Sequence, residues 1–116
     1  MDRSLSTADL PPVLGAALRS WIEVVETAGE GGGAGVISTT AKTEALLRRR
    51  VVRTPELEDA FTRAWAVSGA LAQALDRAAF DVEQARSDAL LALDALTGRL
   101  RDARPSARAI GLGQGW

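Results

Sequence analysis

From Leu57 onward the chain repeats apolar side chains every three or four positions: Leu57, Phe61, Ala64, Leu71, Leu75, Ala78, Val82, Ala85, Ala89, Leu93, Leu96 and Leu100. At about 100° per residue these fall in one stripe, with Glu58, Gln73, Asp76, Glu83, Gln84 and Asp94 on the other side, as in an amphipathic helix. Ser68 and Arg86 are the polar interruptions. The start of this helix is the best marked in the sequence. In Thr54-Pro55-Glu56-Leu57-Glu58-Asp59, Thr54 suits the N-cap and Pro55 the first helical position. The three carboxylates that follow suit the positive end of the helix dipole. Pro105 marks the end, because the residue before a proline avoids helical geometry. The pattern predicts one helix over about 55–103, with Gly69 and Gly98 as weak points and Gly98 able to end it early. Unbroken, it would be roughly 73 Å long at about 1.5 Å per residue.

Two shorter helices precede it. Leu14, Leu18, Trp21, Ile22, Val25 and Ala28 recur at helical spacing, which predicts a helix over about 11–28, with Asp9 as N-cap and Pro11 and Pro12 in the first turn. The segment Gly29 to Gly35, GEGGGAG, concentrates glycine, whose backbone loses the most freedom on ordering, so 29–37 reads as a linker. A helix over about 40–52 follows, with Ser38, Thr39 and Thr40 as alternative N-caps. Residues 1–10 read as a mobile polar terminus, and 105–116, PSARAIGLGQGW, as a flexible tail. The expected fold is all-α: a single helical domain over 11–104, either a small three-helix bundle or a helical hairpin, built on one long C-terminal helix. Trp21 and Trp65 are expected in the core, whereas Phe80 and Leu91 fall opposite the stripe and could form a second contact surface.

Composition changes this picture in one respect. Hydrophobic residues make up 47% of the 116, but aromatics only 4%, and much of the remainder is alanine, which buries little area. A long stripe with thin packing is expected to complete its core on a protein partner or a second copy, in a coiled-coil manner. Leu71, Leu75, Val82, Arg86, Leu93, Leu96 and Leu100 are the expected contacts. Arg86 would either lay its stem along the helix surface with its head in water, or pair with an acid on a partner helix. Trp116, behind a glycine-rich spacer with Ile110 and Leu112, is a further candidate anchor.

Charge brings in a second function class. The net charge is −1 and the isoelectric point about 5.4, which argues against general nucleic-acid binding. Locally, however, Lys42, Arg48, Arg49, Arg50 and Arg53 stand against Glu44 alone, net +4 over 39–53, while 54–98 carries −5. These cations could complement the carbonyl end of the second helix, meet an acidic partner, or contact nucleic-acid phosphates.

Histidine, cysteine and tyrosine are absent, which removes the commonest general base, the thiol nucleophile and nearly all transition-metal sites. The row Glu58, Asp76, Glu83 and Asp94 lacks the Glu-x-x-His partners of carboxylate di-metal bundles and reads as a solvated face. GEGGGAG follows a helix and lacks Gly-Lys-Ser or Gly-Lys-Thr, so it is not a phosphate loop. No enzyme activity, cofactor or metal is expected. No apolar run is long enough to span a membrane. The lack of cysteine fits a cytoplasmic location, and arginine in place of lysine suggests a GC-rich bacterial genome. The leading expectation is a non-enzymatic interaction protein (a subunit, adaptor or scaffold). The alternative is a small nucleic-acid-associated regulator using residues 42–53.

Overall fold

The computed structural model describes residues 10–106, and in it the long C-terminal stripe turns back on itself. The described residues form four helices: α1 Pro12–Thr27, α2 Gly33–Arg50, α3 Pro55–Asp76 and α4 Val82–Arg101. Each helix packs on its neighbours in sequence, and α4 closes the ring against α1. Short connections make this an up-and-down arrangement around one core. Asp9, Ile110, Leu112 and Trp116, assigned roles by the sequence pattern, lie outside the described residues.

The largest correction is the break between α3 and α4. The expected helix over 55–103 is two helices separated by residues 77–81. No glycine or proline marks the break. Instead Ala78 takes a left-handed conformation, φ +50°. The N–H of Ala79 donates to the carbonyl of Ala74 at 3.0 Å and that of Ala78 to Leu75 at 3.3 Å. This pair of bonds is a Schellman termination, with alanine where glycine is preferred. The helix stops because stopping buries the stripe. Leu57, Phe61, Leu71 and Leu75 on α3 and Ala89, Leu93, Leu96 and Leu100 on α4 share one buried cluster. Gly98 does not end α4, which runs through it to Arg101.

The start of α3 follows the sequence closely. Thr54 is the N-cap, and its side chain accepts a hydrogen bond from Leu57 N–H at 3.1 Å. The start of α2 does not: it begins at Gly33 rather than at about 40, so Ser38, Thr39 and Thr40 lie inside it. Two glycines make this possible. Gly31, at φ +79°, turns the chain and donates its N–H to Leu75 at 3.1 Å. Gly33 then sits so close to α3 that a Cβ there would lie 2.5 Å from the Ala72 carbonyl oxygen. Its N–H donates to Asp76 Oδ1 at 3.0 Å, which places a carboxylate at the amino end of α2, where the helix dipole favours it.

Both polar interruptions of the stripe have structural partners. Ser68 is buried, and its hydroxyl accepts the indole N–H of the fully buried Trp21 at 3.0 Å. Arg86 takes a third course beyond the two expected for it. From α4 it donates to the carbonyls of Val25 at 2.7 Å, Ala28 at 3.1 Å and Glu26 at 3.2 Å, with Glu83 held at 3.2 Å. Those carbonyls end α1 and have no intrahelical donor, so Arg86 caps α1 from across the bundle. At the opposite end, Ser106 N–H donates to Arg50 O at 2.9 Å and Val52 N–H to Arg104 O at 2.8 Å. A single antiparallel bridge pairs Val51 with Pro105. The chain beyond α4 is thereby tied to the end of α2.

Candidate partner-binding surface

Most of the side chains expected to meet a partner are buried within the chain itself. Leu71, Leu75, Leu93, Leu96 and Leu100 belong to its core, and Val82 packs against that core half-buried. Arg86 is committed to α1. What the stripe would have offered to another chain, α3 and α4 offer to each other.

The basic segment is also divided. Arg48 donates to Glu58, pairs with Glu44 at 3.1 Å, and lies over the Phe61 ring at 4.7 Å from its centroid. Burial disfavours its charge, but the hydrogen bonds to Glu58 and Glu44 outweigh this and hold the guanidinium above its ordinary range. Arg53 faces Glu58 at 3.5 Å. Arg50 is half-buried and engaged, while Lys42 and Arg49 are exposed and form no ion pair with the described residues. The backbone carbonyl of Arg49 accepts from the Ser106 hydroxyl at 2.6 Å.

The surface that remains lies between α2 and α3. Trp65, expected in the core, is 44% exposed, and Ile37, placed in the linker by its glycine neighbours, is 50% exposed. The two line one shallow groove with Thr40 and Gly69. The groove exists because Trp65 stands about 100° round α3 from Ala64 and about 60° from Ser68, at the edge of the helix rather than on its core face. Gly69, one turn further on, leaves open space beside the indole: nothing approaches within 4 Å of where its Cβ would be. The uncharged outward positions form a short patch, with Glu44 and Arg48 on the same side of α2 and Glu58 and Asp76 on the same side of α3. On α2 the uncharged positions are Ala34, Ile37, Ala41 and Ala45; on α3 they are Thr62, Trp65, Ala66 and Gly69.

Thr40 adds a polar point. It is 3% exposed, yet its hydroxyl has no hydrogen-bond partner. Thr43, one turn on, does what a helical threonine ordinarily does and donates to the Thr39 carbonyl at 2.7 Å. An unpaired buried hydroxyl costs about 1–3 kcal/mol.

Other surfaces are less organised. Phe80 is fully exposed at the α3–α4 connection and Leu91 is exposed on α4. They stand eleven residues apart, roughly 16 Å along a helix, and line no common groove. A larger cleft of about 480 Å³ is lined by Val52, Thr54, Glu56, Leu57, Arg99, Asp102, Ala103 and Arg104. It mixes both charge signs and contains no buried polar atom lacking a partner. Among the described residues, no three His, Cys, Asp or Glu side chains gather as a metal site, and no helix is long and apolar enough to cross a membrane.

Two signals in the sequence point to the groove. Val36, Thr40, Thr43 and Leu47 continue a helical face back into the glycine segment, which puts Ile37 on a helix. Trp65 stands off the main stripe, which predicts an edge position for it. Comparison of the chain with protein-family models, with curated proteins and with solved structures finds no match in any of the three.

Proposed function

We propose that this protein is a non-enzymatic helical interaction module that binds a protein partner through the groove between α2 and α3. The observation that carries the reading is the pairing of Ile37 and Trp65, both about half exposed, around the unpartnered Thr40 hydroxyl. Large apolar side chains cluster on the surface of a small protein chiefly where something covers them, and tryptophan is the residue most enriched among binding anchors. Its rigid ring contributes much area for little lost rotamer freedom.

The phosphate-binding alternative has fewer cations to work with than the sequence alone suggests. Arg48 and Arg53 converge on Glu58, and the helix that follows them begins with Glu56, Glu58 and Asp59. A groove-binding reading needs none of these.

The test is affinity purification from the native cell with three tagged forms: wild type, Ile37→Asp and Leu91→Asp. The partner should be recovered with wild type and with Leu91→Asp, and lost with Ile37→Asp, while circular dichroism stays unchanged in all three. Equal recovery with Ile37→Asp would place the binding surface elsewhere.

A further inference from the structure

We infer that the α3–α4 hairpin opens at residues 77–81 into one continuous helix, and that two chains opened in this way exchange α4 to form a dimer. The partner is a second copy of this chain, and nothing in the inference depends on the α2–α3 groove.

The hinge carries the argument. A helix that ends in a left-handed residue ordinarily places glycine there, but residues 77–81 are Arg-Ala-Ala-Phe-Asp, without glycine or proline. Ala78 holds that position at φ +50°, where an L side chain is crowded. In a straight helix the same alanine is the best helix former there is. The apolar stripe also keeps its phase across the break. At about 100° per residue, Leu71, Leu75, Ala78, Val82, Ala85 and Ala89 fall within about 80° of one another. The local sequence therefore favours the open form, and the packing of α4 on α3 and α1 is what closes it.

Among the described residues little else holds the turn. Arg77, Ala78, Phe80 and Asp81 are exposed, and Ala79 and Val82 are half-buried. Ala78, Ala79 and Val82 line an open cleft of about 450 Å³ rather than a packed core. A short hinge under strain is the usual starting point for exchange of an element between copies. The path of the open helix is also clear. Gly33, the first residue of α2, lies against Ala72 and Asp76, so the α1–α2 connection is level with the last turn of α3. A straight continuation of α3 runs out beyond it.

Opened, the helix over 55–101 is roughly 70 Å long at about 1.5 Å per residue, which carries α4 away from its own bundle. A second opened chain restores what α4 has lost. Each half of the dimer holds α1, α2 and α3 of one chain with α4 of the other, so Leu93, Leu96 and Leu100 return to the same core cluster. Arg86 of each chain caps α1 of the other, and the Val51–Pro105 bridge forms between chains. The packed contacts are the same in both forms. The balance is therefore set by relief of two hinges against the cost of bringing two chains together, and the dimer gains as protein concentration rises.

The experiment refolds the full chain from urea at low and at high protein concentration, equilibrates it, and separates monomer from dimer by gel filtration. The Glu56→Cys/Arg99→Cys chain, spin-labelled at both sites, is refolded with an excess of unlabelled chain, so that each measured distance lies within one chain. In the monomer the two labels should be close, because the two residues line one cleft. In the dimer the separation should lengthen to roughly 65 Å at about 1.5 Å per residue. Ala78→Gly relieves the closed turn and weakens the open helix, so it should raise the dissociation constant of the dimer about thirtyfold or more, two hinges contributing. Its monomer should remain fully folded, which separates loss of exchange from loss of folding.

A dimer in which the labels stay close would be two closed hairpins side by side and would overturn the inference. A dissociation constant unchanged by Ala78→Gly would do the same, as would a chain that stays monomeric at the highest attainable concentration.

Discussion

Ala78 holds the left-handed position that ends α3, at φ +50°. Its Cβ crowds the following carbonyl in that conformation, at a cost of about 1 kcal/mol that glycine would not incur. Ala78→Gly should therefore stabilise the protein by up to about 1 kcal/mol, read as a higher urea midpoint with unchanged slope. A lower midpoint would mean that this residue does not sit in the left-handed region. Arg86 is the second decisive residue. Its guanidinium serves the carbonyls of Val25, Glu26 and Ala28, while Val24 O already accepts from Ala28 N–H. Arg86→Ala should cost about 1–2 kcal/mol. Because the loss falls on α1 rather than α4, amide exchange should accelerate at the end of α1. Faster exchange confined to α4 would contradict that assignment. Both residues were opaque in the sequence for the same reason. An alanine carries no sign of a left-handed φ, and an arginine on an apolar stripe does not reveal which helix end it will reach.

The helical hairpin of α3 and α4 turns the longest sequence feature inward. The amphipathic pattern was legible, and so was the Thr54 cap, because both depend on residues within a turn or two of one another. The break was not legible, because the stripe keeps its phase across residues 77–81 and both halves face the same core. Two faint local signs accompany it: Phe80 stands off the stripe, and Asp81 with Gln84 has the spacing of a capping box, although Asp81 forms no side-chain cap. The early start of α2 was hidden for a tertiary reason. Gly33 is tolerated in a helix because α3 comes too close for any side chain there and Asp76 takes up its N–H. The chain has no native cysteine, so paired spin labels at Glu56→Cys and Arg99→Cys report the hairpin directly. Those two residues line one cleft and should give a short distance, below about 25 Å with label arms included. A continuous helix would separate them by roughly 65 Å at about 1.5 Å per residue.

At the scale of the whole molecule, closing the ring of four helices removes the need for a partner to cover the stripe and shifts attention to what the ring leaves open. The interaction we propose rests on different residues from those the sequence pattern points to. Leu71, Leu75, Leu93, Leu96 and Leu100 are internal, while Ile37 and Trp65 are outside. Hydrophobic periodicity can say that a face is buried; it does not distinguish burial against the chain's own helices from burial against another chain. The most direct measurement replaces Trp65 with a photoreactive phenylalanine analogue, with matched replacements at Phe80 and Leu91, and irradiates the full chain in its native cell. A cross-link to a different polypeptide from position 65, and from neither of the others, is the result expected. Cross-links from position 80 or 91 with none from 65, or products containing only this chain, would contradict the account.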